Sequence, residues 1–219
     1  MAVFWVINGL YLFVFPDSNL LDKGYASIDA FFEWVPWVLL IVVPAITMRV
    51  YADEFKSGTF EILKTRPLST IQLVGGKLLG VLLVVALTLL PTIGYAAIIN
   101  WLSSAPGIDW GATAGSYLGL FLLAAVFAGI GCCCSSFTPN AVVAFLSSTV
   151  MGFLLYKGFA ALSQLPFFMA GADYYIQMAG MDFHYRSLSR GVIDTRDLIY
   201  FFTLLFLGTL ISYRNLLKR

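Results

Sequence analysis

Charged residues are scarce in this sequence of 219 residues. Only 11% are Asp, Glu, Lys or Arg and 60% are hydrophobic, whereas soluble domains carry about 25% charged residues. A soluble fold of this length cannot bury so much apolar surface, so the composition excludes a soluble enzyme or binding module. The mean hydropathy of +0.87 indicates that residues 1–219 form a single all-α domain in a membrane.

Several kinds of site are also missing. The sequence has no basic patch and no zinc-ligand spacing, so we expect no nucleic-acid partner and no metal. Its three cysteines are consecutive, and neighbours on a helix point in different directions, so we expect them to be packing residues: Cys132, Cys133 and Cys134. The spans contain no paired carboxylates and no Ser-His arrangement, so we expect no catalytic residue.

Long apolar runs predict membrane-crossing helices, because backbone groups in lipid must be satisfied within the segment. A crossing needs about 20 residues. The first apolar run, residues 1–15, is short for a span and lacks the basic flank of a signal peptide. We therefore expect it to be the end of a truncated first helix, with the native N-terminus further upstream. The other predicted spans are residues 31–48, 78–102, 114–134, 141–162 and 198–213.

The distribution of Lys and Arg predicts six helices with both termini in the cytoplasm. Short cytoplasmic loops are enriched in basic residues, and here the basic residues cluster after the second helix and at the C-terminus. Five helices would place one cluster outside, so the bias supports a truncated first helix. Eight of the thirteen basic residues lie in these clusters: Arg49, Lys56, Lys64, Arg66, Lys77, Arg214, Lys218 and Arg219.

The segment 49–77 is the most informative, and it reads RVYADEFKSGTFEILKTRPLSTIQLVGGK. Apolar residues recur at near-helical spacing over residues 51–63 and charged residues fill the other faces, which predicts an amphipathic helix on the cytoplasmic surface. Gly58 permits a bend, Pro67 ends the helix and Ser69 is expected to N-cap the next one. Such a helix either anchors the loop at the membrane interface or docks a cytoplasmic partner.

This segment resembles the signature of ABC type-2 exporter permeases. The shared features are an acidic pair, a Gly-Thr-x-Glu core, a hydrophobic pair, a basic-Pro step and a Gly-Lys entry into the next helix. They correspond here to Asp53 and Glu54, Gly58, Thr59 and Glu61, Ile62 and Leu63, Arg66 and Pro67, and Gly76 and Lys77. Residues 12–49, with a Phe-Pro loop before a Pro-rich helix, resemble the gliding-motility-associated subgroup of these permeases.

The resemblance implies a pair of permease chains, as homodimer or heterodimer, in a cell's inner membrane. Each chain would contact a separate ATPase subunit through the cytoplasmic helix. ATP and Mg²⁺ would be bound by that partner, because this chain has no GxxxxGK[ST] motif, so we expect no cofactor and no enzymatic activity of its own. The implied docking residues are Tyr51, Asp53, Glu54, Phe55, Gly58, Thr59, Glu61 and Leu63.

The long segment 165–197 is expected to lie outside the cell. The resemblance implies short, partly re-entrant helices that cap the exit, and the alternative is a solvated loop with an interfacial helix. Lys157, Phe167 and Phe168 are candidates for an exit or substrate region, with snorkelling of Lys157 to the headgroups as the favoured alternative. We expect the lone His184 to be a surface or hydrogen-bonded residue.

Two other functions stay open. A non-transporting scaffold, which passes ATP-driven movement to other machinery, fits the same residues as an exporter. A secondary transporter would carry charges near the bilayer midplane or broken helices in two matching halves, and the sequence shows neither pattern.

Overall fold

The computed structural model of the chain is built from helices. It describes residues 1–15, 27–64, 69–103, 107–165 and 172–218, and over these ranges it has no β-strand. The helices are α1 (Ala2–Phe13), α2 (Asp29–Thr47), α3 (Ala52–Ser57), α4 (Thr59–Lys64), α5 (Thr70–Leu89), α6 (Ile93–Leu102), α7 (Trp110–Phe137), α8 (Ala141–Phe153), α9 (Phe159–Ser163), α10 (Asp173–Met178), α11 (Met181–Leu188) and α12 (Thr195–Lys218).

Five helical segments are long and apolar enough to cross a membrane, in agreement with the five complete spans predicted. The second of them begins at Thr70, eight residues before the predicted apolar span, and Ser69 is its N-cap, as expected, within a capping box. Its Oγ accepts from the backbone N–H of Gln72 at 3.4 Å, and the Gln72 side chain accepts from the Ser69 N–H at 3.0 Å. The five segments are Asp29–Ser57, Thr70–Leu102, Trp110–Phe137, Ala141–Ser163 and Thr195–Lys218.

Helix α1 has 12 residues and is shorter than a membrane span. It is nevertheless fixed to the bundle by polar contacts. The Trp5 indole donates to the Thr88 carbonyl at 2.8 Å, and the Tyr95 hydroxyl donates to the Trp5 carbonyl at 2.9 Å. Tyr11 stacks on Trp34 of α2 with ring centroids 4.4 Å apart. A sixth span that includes α1 stays a prediction.

Helix α7 lies at the centre of the bundle and contacts α2, α5, α8, α11 and α12. Glycines let its neighbours approach its backbone. A Cβ on Gly131 would overlap the Thr47 side chain of α2, and a Cβ on Gly208 of α12 would lie 3.0 Å from the backbone carbon of Gly129. Helices α7 and α12 therefore meet backbone to backbone, and neither contact leaves room for a larger side chain at the glycine.

Two irregular turns interrupt the spans. A 3₁₀ turn at Leu90–Thr92 separates α5 from α6 at Pro91, whose ring cannot continue the α-helical hydrogen bonds. A π-helical turn at Leu154–Gly158 separates α8 from α9. π-helical turns are rare and often lie at functional sites, and this one contains Lys157.

The close contact at Gly131 yields a stability prediction. We expect Gly131→Ala to lower stability by about 1–3 kcal/mol, because the added methyl must displace Thr47. Thermal unfolding in detergent measures this. Gly94→Ala is the control, since nothing lies within 4 Å of a Cβ built there, and it should leave the unfolding temperature unchanged or slightly raised. Equal effects of the two variants would contradict the packing described here.

Candidate functional site

The segment predicted as one amphipathic helix over residues 51–64 is two helices in the structure. Helix α3 ends at Ser57, and Gly58 then takes a left-handed conformation with φ of 71°, which glycine adopts without the steric penalty of a Cβ. Helix α4 follows at once. The expected bend at Gly58 is therefore present, but it divides the helix completely. Arg66 and Pro67 lie outside the described residues.

The apolar side of α3 and α4 packs onto the bundle. Tyr51 and Ala52 are fully buried and Phe60 is 7% exposed. Phe55 lies between two of these rings: it stacks on Tyr51 with centroids 6.5 Å apart and meets Phe60 edge-on at 5.0 Å. This aromatic row holds the two helices against the ends of the membrane-crossing helices.

The hydroxyl of Ser135 joins α3 to the C-terminal end of α7. It accepts hydrogen bonds from the backbone N–H groups of Tyr51 at 3.1 Å and Ala52 at 3.2 Å, and it donates to the Met48 carbonyl at 3.0 Å. The first N–H groups of a helix have no partner within it. Ser135 therefore acts as an N-cap supplied from another helix.

Lys77 of α5 holds α3 from a second direction. Its ammonium donates to the Val50 carbonyl at 2.5 Å, forms an ion pair with Glu54, and lies 4.4 Å from the centroid of the Tyr51 ring. The side chains of Lys77 and Glu54 are largely shielded from solvent, with 19% and 23% exposure. Removing either partner would leave the other charge partly buried and unpaired, which is destabilising. Helix α3 is thus tied to α5 as well as to α7.

These contacts divide the predicted docking residues into two groups. Tyr51 is buried, Glu54 is paired with Lys77 and Phe55 packs against the core, so these three side chains contact the bundle, and Leu63 is half-buried. The remaining four predicted residues are exposed. Lys56 is exposed beside them. The outward face of α3 and α4, here called the docking face, consists of Asp53, Lys56, Gly58, Thr59 and Glu61.

At the opposite end of the bundle, Lys157 forms an ion pair with a residue of α11. Its Nζ lies 2.7 Å from Oδ1 of Asp182, and Nη2 of Arg186 lies 2.8 Å from the other carboxylate oxygen. The Asp182 side chain is only 6% exposed. The amine is thus paired with a carboxylate of the chain itself, and snorkelling to the headgroups stays a prediction.

His184 links α10, α11 and α12. Its Nδ1 lies 2.7 Å from Oδ1 of Asp197 and its Nε2 lies 2.9 Å from the Met178 carbonyl, while Tyr200 stacks on the ring at 4.0 Å. A backbone carbonyl can only accept, so Nε2 donates to Met178, while Nδ1 faces a carboxylate oxygen of Asp197. The lone histidine is hydrogen-bonded, as expected, and it is buried rather than at the surface.

Helix α11 is part of the packed bundle. The Tyr185 hydroxyl donates to the Phe32 carbonyl of α2 at 2.7 Å, and burial raises the pKa of Tyr185 well above its usual range, so the hydroxyl keeps its proton. The Ser116 hydroxyl of α7 donates to the Ser189 carbonyl at 2.8 Å. A solvated loop does not describe this part of the chain.

Only part of the predicted exit region lies within the described residues. Lys157 belongs to the ion cluster on α11, whereas Phe167 and Phe168 lie outside the described residues. Partial re-entry of α10 and α11 into the membrane stays a prediction, since their packing does not fix a depth in the bilayer. Lys157 and Asp182 are 25 residues apart, so no local sequence pattern predicts that their side chains meet.

A comparison with protein families identifies the family of this chain. A family model described as ABC-2 family transporter protein matches residues 14–179, more than half of the chain. The chain belongs to the ABC-2 transporter family. It is thus a multi-pass membrane protein and a membrane component of an ABC transporter. No curated protein matches the sequence significantly.

The matched range covers the docking face but not the last two helices of this ABC-2 chain. It contains α2 to α10, and therefore the docking face, Ser135, Lys77 and Lys157. Helices α11 and α12 follow it, so Asp182, the partner of Lys157, lies beyond the match. Membership of the gliding-motility-associated subgroup stays a prediction.

The Ser135 contacts give a second prediction. Ser135→Ala removes the acceptor for two backbone N–H groups, and each unsatisfied buried group costs about 1–3 kcal/mol. We expect faster hydrogen–deuterium exchange at Tyr51 and Ala52 in the detergent-solubilised protein. The matched control is Ser148→Ala, because the buried Ser148 hydroxyl donates to a carbonyl of its own helix. Unchanged hydrogen–deuterium exchange at residues 51 and 52 would show that Ser135 does not cap α3.

Proposed function

We propose that this ABC-2 chain is the permease subunit of an ATP-driven exporter and that the docking face binds a separate ATPase subunit. The ATPase would bind ATP and Mg²⁺ and supply the energy. The permease would convert movement of α3 and α4 into rearrangement of its membrane-crossing helices. A second permease chain, identical or related, would complete the transport path.

The observation that carries the proposal is the two-sided construction of α3 and α4. Their inner side is fixed to α7 through Ser135 and to α5 through Lys77. Their outer side presents side chains of both signs, Asp53, Lys56 and Glu61, to solvent. An element that only anchored a loop at the membrane surface would need its buried aromatic side but no rigid polar links to two spanning helices.

These links provide a route for mechanical coupling. A push on α3 displaces the Met48 carbonyl and the Tyr51 N–H, both bonded to Ser135. Because glycine contacts pack α7 tightly against α2 and α12, α7 cannot move without its neighbours. ATP-driven closure of the partner would therefore shift several spans together.

The orientation follows from charge. We place the docking face and both termini in the cytoplasm, because the basic clusters flank α3 and α4 and end α12. Residues 165–197 then lie outside. The membrane would be the inner membrane of the cell, where a cytoplasmic ATPase can reach the docking face.

A role in gliding motility is the finer form of the proposal. It rests on the resemblance of residues 12–49 to that subgroup, of which residues 16–26 lie outside the described residues. A nearby gene for an ATPase, together with one for a membrane protein with a large extracellular domain, would support it.

Charge reversal on the docking face tests the proposal. We expect Glu61→Lys to lower copurification of the ATPase and to uncouple ATP hydrolysis from transport, because an exposed charge that contacts the partner changes sign. Membrane insertion should be unaffected, since Glu61 is exposed.

The control for this experiment is Lys218→Glu, an exposed charge reversal at the end of α12. It should leave both ATPase association and transport intact. Full transport by Glu61→Lys, with the ATPase still bound, would exclude Glu61 from docking.

A further inference from the structure

A cleft of about 630 Å³ opens at the α11 end of the bundle, far from the docking face. Three elements form it: α2, the π-helical turn and α11 with the turn that follows it. The side chains that matter here are Trp37, Tyr156, Lys157, Asp182, Arg186 and Arg190. Lys157 lies inside it, 5.0 Å from the Tyr156 ring centroid and 5.8 Å from that of Trp37.

One side of the cleft is continuous with the apolar outer surface of the bundle. Trp37 is 39% exposed and contacts Phe153 of α8 with ring centroids 6.3 Å apart. Ile41, one turn further along α2, and Leu154 in the π-helical turn are each more than half exposed. Apolar surface of this kind on a membrane protein faces lipid chains, and Trp and Tyr favour the level of the headgroups.

The other side of the cleft carries an excess of positive charge. Lys157 and Arg186 share one carboxylate, that of Asp182, so the cluster keeps one uncompensated positive charge. Arg190 adds another. Its Nε donates to the Arg186 carbonyl at 3.0 Å, and no carboxylate among the described residues forms an ion pair with it.

The second acidic group of the cleft is Glu33, an exposed residue of α2. With Asp182 it gives two carboxylates against three cations. The cleft therefore carries a net positive charge. Arginine side chains present planar pairs of N–H donors that match a phosphate group.

We infer that this cleft binds an anionic phospholipid, with the headgroup phosphate at Arg186 and Arg190 and the acyl chains along Trp37, Ile41 and Leu154. The aromatic side and the cationic side meet at the mouth of the cleft, which is the geometry that an amphiphile with a negative head requires. A soluble anion would use the arginines but would have no need of the apolar side. The inference goes beyond the proposed docking of an ATPase and does not depend on it.

Native mass spectrometry of the detergent-solubilised full chain tests the inference without ATPase or transport. We expect phosphatidylglycerol to bind more tightly than phosphatidylcholine. The double variant Arg186→Gln/Arg190→Gln should weaken phosphatidylglycerol binding about tenfold, as expected for the loss of charged hydrogen bonds. The Lys157–Asp182 pair remains in this variant, so the fold should be kept, and circular dichroism checks this.

Arg196→Gln is the matched control, because Arg196 is an exposed arginine near the same end that does not line this cleft. It should bind phosphatidylglycerol like the unmodified chain. Equal binding of the two lipids, or equal loss in the control and the double variant, would overturn the inference. Full displacement of the lipid by glycerol 3-phosphate would overturn it too, since the cleft would then recognise a free anion.

Discussion

Close packing of helix α7 against its neighbours is the constraint on which the rest of the structure depends. Lipid offers no hydrophobic force to drive helices together, so small residues and tight contacts must do so. Gly131 and Gly129 let α2 and α12 reach the α7 backbone, and Gly119 receives the Leu188 side chain of α11. A bundle held in this way deforms by shifting whole helices rather than by loosening side chains.

Both ends of the bundle are joined to this helix by a serine hydroxyl. Ser135 caps α3 at one end, and Ser116 bonds the backbone just after α11 at the other. The docking face and the cationic cleft are therefore connected to the same rigid element. This arrangement would give a physical basis for communication between the proposed ATPase contact at one end of the bundle and the cleft at the other. Each end also carries an ion pair, Lys77 with Glu54 and Lys157 with Asp182, that fixes a short helix to a long one.

The sequence predicted those features that are local. Apolar runs gave the five spans, Ser69 gave the start of α5, and Gly58 gave the bend between α3 and α4, because each signal lies within the element that it determines. The contacts that build the two sites were not predictable in this way. Tyr51 and Ser135 are 84 residues apart, and Lys157 and Asp182 are 25 apart in different elements. Their pairing depends on helix packing, which periodicity does not encode. For the same reason, Tyr51 and Glu54 are among the docking residues that the resemblance implies, but their side chains contact the bundle.

The central claim is that the outward face of α3 and α4 contacts an ATPase. Site-specific photo-crosslinking in intact cells tests it most directly, with a photoreactive amino acid at Lys56 or Thr59 and a control at Asp194, which is exposed near the other end of the bundle. We expect an adduct from positions 56 and 59 whose second component, identified by mass spectrometry, contains an ATP-binding P-loop, and none from position 194. Adducts with lipid alone at positions 56 and 59, while the ATPase is present in the same cells, would contradict it.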